Sequence, residues 1–272
     1  MNPYHRKRTV CGVDFSGAQD AGKKIWIACG GILDDLILIS ECFPAKDLSC
    51  SGQQRDQAIS ALRAFIRKKR DCVFGLDFPF GIPRALILEE NWEEWLAAFP
   101  ERYTSPEGFE RQCRLASNGK ELKRATDVET KTPFSPYNLR LFRQTYFGVR
   151  DVLGALVREK AVCVLPLQKP QDEKPWAIEI CPAATLKIKN LSFPYKGSGR
   201  DRMASRGKIL RGMEKTGVLK VRKTSVRKRI VEDKGGDALD SLIAAYATFK
   251  ALNHGLTSET RDPYAIEGKV YV

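Results

Sequence analysis

Two short stretches of this sequence repeat one chemical idea. Gly12-Val13-Asp14-Phe15 and Gly75-Leu76-Asp77-Phe78 each set a carboxylate at the end of an apolar run. An acid there is costly to strip of water unless a cation or hydrogen-bond donors compensate it, and a bound metal ion is one such cation. The plainer reading is that each Asp opens a turn, because Ser-Gly follows Asp14 and Phe-Pro-Phe-Gly follows Asp77. Recurrence of the setting favours function. Asp237-Ala-Leu-Asp240 adds two more acids, and residues three apart share one face of a helix. The same pair also reads as a helix cap with an acid in the first turn.

Together these four acids suggest two Mg²⁺ or Mn²⁺ ions, which take oxygen ligands. Two such ions roughly 3.5–4 Å apart activate water on one side of a phosphodiester and stabilise the leaving oxygen on the other. That chemistry needs no histidine or cysteine nucleophile, and the chain holds only two histidines, His5 and His254. Glu179, inside Ala-Ile-Glu-Ile-Cys-Pro, is a fifth candidate: it either pairs on an edge strand or supports the ligands from behind.

The charge points to a polyanionic partner. The 272 residues carry 46 Lys and Arg against 33 Asp and Glu, a net +13. Residues 193–234 hold fourteen basic and four acidic residues, so ten of those charges lie in one segment. Such clusters contact phosphates without reading sequence. Lys196, Arg200, Arg202, Arg222, Lys223 and Arg227 are its candidate contacts with DNA or RNA, and Tyr195 and Phe193 could stack on bases or simply pack. Arg124 is expected either to clamp a phosphate or to pair with Asp127.

The elements that must carry these groups read as α/β. Residues 9–15, 24–32 and 36–43 are apolar, β-branched runs broken by short turns, as in an antiparallel meander. Residues 55–70 follow the helical period through Ile59, Leu62 and Ile66. Residues 72–77, apolar on both faces, read as a central covered strand, and residues 176–180 as a fifth. Between them, about 84–160 reads as a helical insertion, with Trp92 and Trp95 packing it and a stripe through Leu139, Phe142, Tyr146, Val149, Leu153 and Leu156. The whole is expected to be one domain.

Eight cysteines are scattered with no C-x-x-C pair, which argues against zinc and for reduced thiols in a cytoplasmic protein. No apolar run approaches the length of a membrane span, and Asp14 interrupts the N-terminal stretch before it reaches signal-peptide length.

In order along the chain, GVDFSGA, GLDFPFGIP, EICPAAT and DALDSLIAAY resemble the group called domain of unknown function 429, together with Arg124-Ala-Thr-Asp127 and Glu267-Gly268. The resemblance implies a nuclease of the RNase H-like fold: a five-stranded mixed sheet, antiparallel in its first three strands, flanked by helices. In the wider superfamily, which includes Holliday-junction resolvases, the metal-binding acids fall by position on Asp14, Asp77, Asp237 and Asp240. One departure is Asp77, where the junction resolvases carry the longer Glu. The expected function is metal-dependent cleavage of nucleic acid. The alternative is a nucleic-acid-binding protein without catalysis. A nucleotide-binding loop at Asp14-Phe-Ser-Gly is a more distant reading, and no Walker A sequence accompanies it.

Overall fold

A computed structural model describes residues 7–256 and 261–272. The first six residues, weighed above as part of an export signal, lie outside it. Eight strands form one mixed sheet: β1 (Thr9–Asp14), β2 (Trp26–Leu33), β3 (Leu36–Pro44), β4 (Cys72–Asp77), β5 (Cys163–Leu165), β6 (Trp176–Ile180), β7 (Leu219–Val221) and β8 (Val270–Tyr271). Their order is β5-β6-β4-β1-β2-β3-β7, with β8 paired to β6. The first three strands are antiparallel, β4 is parallel to β1, and β6 is parallel to β4. The sheet is therefore larger than the five strands expected. The additional strands β5, β7 and β8 span three, three and two residues, too short for an alternating pattern to declare them.

Twelve helices flank it among the described residues. These are α1 (Ala21–Lys24), α2 (Arg55–Lys68), α3 (Trp92–Arg102), α4 (Pro106–Ala116), α5 (Ala125–Glu129), α6 (Phe142–Phe147), α7 (Gly154–Arg158), α8 (Pro182–Ile188), α9 (Arg200–Lys215), α10 (Thr224–Glu232), α11 (Asp237–His254) and α12 (Tyr264–Glu267). The chain between β4 and β5 carries α3 to α7, with α6 running into α7 through a π-helical stretch, Gly148–Leu153. Trp92 and Trp95 are buried there as expected, whereas Leu139 lies before the helix and is 69% exposed.

Strand alternation divides the interior into two layers. Val13, Phe74, Leu76 and Ala177 face α2 and the insertion. Val10, Val73 and Ile178 face α11 with α8, α9 and α10. Cys11 and Cys29 oppose each other on β1 and β2 and are joined as a disulfide, so the expectation that the cysteines are all reduced fails for this pair. The buried Cys42, Cys72, Cys113 and Cys163 remain free thiols. No helix of the described residues is long and apolar enough to cross a membrane.

Two glycines decide how α11 meets the sheet. Gly12 and Gly75 are register partners on β1 and β4. A Cβ at Gly12 would run into the α11 backbone at Ser241 and Ala245, and one at Gly75 into Thr248. Glycine at both positions lets the helix lie directly against the strands. Two residues later on the same face stand Asp14 and Asp77, also register partners. The Gly-x-Asp spacing thus seats the helix and sets an acid beneath its N-terminus.

Candidate functional site

Asp14 and Asp77 end adjacent parallel strands, and the first turn of α11 brings Asp237 and Asp240 to them. Neither strand-end acid is needed for the turn that follows. Ser16 accepts from the Ala18 N–H after β1, and the Phe78 N–H donates to the Leu76 carbonyl after β4. Nor is Asp237 the cap of α11. Gly236 holds that position in the left-handed region at φ 82°, and Asp233 accepts from the Ala238 N–H at 3.0 Å. Asp237 and Asp240 are thereby released from the capping role that competed for them.

The electrostatics are those of an acid cluster short of cations. Burial, followed by the charges of Asp240, Asp237 and Asp77, holds the Asp14 carboxyl well above the usual carboxylate range. Burial and then Asp240 push Asp77 up to about 8, and a hydrogen bond to Asp14 works in the other direction. Asp237, less enclosed, is raised to about 6, mainly by burial. Carboxyl groups this close cannot all ionise without a compensating charge, so Asp14 and Asp77 titrate as a pair that retains a proton.

Lys196 supplies one compensating charge. Its Nζ lies 2.7 Å from Asp240 Oδ2, while the Tyr195 hydroxyl donates to Asp240 Oδ1 at 2.5 Å. Burial alone would lower the ammonium pKa, but Asp240 and Asp14 overcome it and hold the value above normal. Arg206, fully enclosed on α9, fixes the Tyr195–Lys196 loop. Its guanidinium donates to the carbonyls of Tyr195 at 2.6 Å, Gly197 at 3.1 Å and Val231 at 2.7 Å.

The remaining sequence candidates divide. Arg124 is 1% exposed, and all five of its N–H donors are committed. They go to Asp127 Oδ1 and Oδ2, Glu179 Oε1 and Oε2, and the Glu267 carbonyl. It pairs rather than clamping a phosphate, which corrects its place among the nucleic-acid contacts. Glu179 alternates onto the face opposite Asp77, in register with Leu76, where it also accepts from the Phe80 N–H at 2.9 Å. Glu267 accepts from the Arg84 and Ala125 N–H groups. This enclosed network ties the insertion to the sheet behind the acids.

The basic segment is not one continuous patch. Lys196 is engaged with Asp240, Arg227 pairs with Glu214, and Arg202 donates to the Pro194 carbonyl. Arg200, Arg222 and Lys223 are exposed. Arg222 and Lys223 follow β7, whose Val221 pairs with Ile39 in the first half of β3, whereas Asp14 is level with Pro44 at the far end of that strand, so they lie away from the acids. Sequence reasoning missed Arg206 and Gln144, whose amide donates to the Asp77 carbonyl. Neither sits in a motif that marks it.

Beside Asp77 and Asp240 opens a cavity of about 200 Å³. Its walls include Pro79, Pro133, Phe134 and Pro182, with Lys196 and Tyr195 at one side. The acids supply hard, anionic oxygen donors of the kind Mg²⁺ and Mn²⁺ take, and the raised proton affinity of Asp14, Asp77 and Asp237 marks missing positive charge. Even so, no group of three or more His, Cys, Asp or Glu side chains among the described residues stands in metal-holding geometry. The fit is one of donor chemistry and charge, without a preformed cage. Compared with protein-family models, with curated proteins and with solved structures, the chain gives no match.

Proposed function

We propose that the chain is a metal-dependent nuclease whose carboxylates hold Mg²⁺ or Mn²⁺, two ions in the full arrangement, against a nucleic-acid phosphodiester. The observation that carries this reading is the meeting of Asp14, Asp77, Asp237 and Asp240 at one end of the sheet, with Asp14, Asp77 and Asp237 held above the usual carboxylate range. Asp14 and Asp77 would be the central ligands, with Asp237 and Asp240 completing the site. The ions, when bound, polarise the phosphate and lower the pKa of the attacking water.

The chain's own groups do the rest. Asp14 and Asp77 would hold the ion as carboxylates, the proton favoured by their burial passing to solvent. Asp240 would be available as a ligand, and Lys196, whose ammonium pairs with it at 2.7 Å, would be placed to neutralise a substrate phosphate. Arg206 holds the loop that carries Tyr195 and Lys196 beside Asp240. The Arg124–Glu179–Asp127 network keeps the end of β6 and the insertion in register with the acids. Arg200, Arg222 and Lys223 supply sequence-independent attraction for the polyanion. The antiparallel β1–β3 followed by parallel β4 and β6 supports an RNase H-like core, as does the ordered resemblance of GVDFSGA, GLDFPFGIP, EICPAAT and DALDSLIAAY to domain of unknown function 429.

A second reading, nucleic-acid binding without cleavage, is favoured by the Lys196–Asp240 pair, which already neutralises one acid. Calorimetric titration with Mn²⁺ separates the two. The nuclease reading predicts saturable uptake that Asp77→Asn abolishes. Salt-sensitive nucleic-acid binding with no Mn²⁺ uptake would decide for the second.

A further inference from the structure

The cavity beside the acids has the character of a base pocket. At about 200 Å³ it is smaller than the roughly 300–1,000 Å³ of sites that enclose drug-sized ligands, so it suits one flat ring system and not a whole nucleotide. Its lining is mostly apolar, with the flat rings of Phe134, Pro133, Pro79 and Pro182 among the walls. Phe134 is half-buried at this wall, and the Arg140 guanidinium lies 5.6 Å from its ring centroid. Gln144, also in the lining, spends an amide N–H on the Asp77 carbonyl and keeps a carbonyl oxygen with which to accept from an exocyclic amine. The polar lining comprises Asp77, Asp240 and Lys196, the groups proposed to meet the phosphate, and the mutually paired Arg124, Asp127 and Glu179.

We propose that this cavity receives a single unpaired nucleobase, making the substrate a single strand or a nucleotide turned out of its duplex. The phosphate's position rests on the nuclease reading, whereas the base pocket stands on the cavity itself. A stacked, paired base cannot enter a recess walled by Phe134 and three prolines without leaving its helix. An unpaired base enters without that cost. Aromatic stacking in the pocket is tolerant of base identity, in keeping with a basic surface that contacts phosphates alone.

The test is binding by the full chain in EDTA, so that no cleavage intervenes. Fluorescence anisotropy is measured with a labelled single strand of about a dozen nucleotides, as DNA and as RNA, and with the same strand in blunt duplex. The single strand of at least one sugar type should bind at least about fivefold more tightly than its duplex. Phe134→Ala should remove about fivefold from single-strand binding and leave the duplex unchanged, and Phe134→Trp should restore the preference. Equal binding of single strand and duplex by the unaltered chain overturns the pocket, as does equal weakening of both by Phe134→Ala. A strand bound with this preference but never cut in Mn²⁺ overturns the nuclease reading and leaves the pocket standing. Cleavage without the preference does the reverse.

Discussion

Asp14 and Asp77 are register partners at the carboxyl ends of adjacent parallel strands, where the first turn of α11 adds Asp237 and Asp240. Both strand-end acids are held above the usual carboxylate range, chiefly by burial. This pairing makes the metal-free protein less stable than its fold allows. Asn, isosteric with the neutral acid, should relieve the repulsion. Asp14→Asn or Asp77→Asn should raise the metal-free melting temperature at neutral pH by about 2–4 °C, corresponding to ~1 kcal/mol in a chain of this size. Calorimetric melting in EDTA checks it, and a fall in melting temperature for both variants would contradict the assignment.

The pH dependence follows with a definite sign. Folded Asp77 binds its proton up to about pH 8 and Asp237 up to about pH 6, while an unfolded Asp releases its proton near pH 3.9. Between those limits the folded state holds more protons than the unfolded state, so these groups cost stability progressively as pH rises. Their relative stabilisation is fully present below about pH 4 and is lost by about pH 8. Metal-free melts should show this decline from pH 5 to pH 8, and Asp77→Asn should flatten it. Saturating Mg²⁺ should flatten it too by favouring the ionised acids.

The close approach of α11 gives a packing prediction. Ala at Gly12 drives a methyl group into the α11 backbone at Ser241 and Ala245, and the helix must lift to accommodate it. Gly12→Ala should cost about 3 kcal/mol, since overpacking against backbone has no rotamer to yield. Gly31→Ala, where a Cβ meets nothing within 4 Å, serves as the control. Denaturant unfolding of the two variants should differ by most of that amount.

Gly12 and Gly75 also explain how the site was legible. The repeated Gly-x-Asp spacing carried the fold's logic, because period-two alternation puts glycine and acid on one face. The five longest strands, helix α2 and the strand-end placement of Asp14 and Asp77 could all be read from pattern. The edge strands could not, because β5, β7 and β8 are two or three residues long. Lys196 looked like one basic residue among many in 193–234. Its placement on Asp240 depends on Arg206 gripping carbonyls of residues 195, 197 and 231, a long-range relation with no local signature. Arg124 offered both of its roles in sequence, and burial decided between them.

Arg124 is the structural pin of the insertion. Arg124→Leu leaves Asp127 and Glu179, 2% and 3% exposed, without their counter-charge. Stranding one side of an enclosed ion pair costs about 3–5 kcal/mol, so the variant should lose that much stability in urea unfolding. Because the guanidinium reaches no phosphate, the salt dependence of any residual nucleic-acid binding should keep its slope. A shallower slope would return Arg124 to the interface.

Cleavage itself tests the central claim most directly. A labelled nucleic-acid pool containing single-stranded and duplex DNA and RNA is incubated with the chain in Mn²⁺ or Mg²⁺, alongside Asp14→Asn, Asp77→Asn and an EDTA control. Metal-dependent products should form and should fall at least about a hundredfold in either folded variant, since loss of a ligand costs no less than loss of a supporting group. Undiminished cleavage in both variants, or no cleavage of any substrate by the unaltered chain, would contradict it.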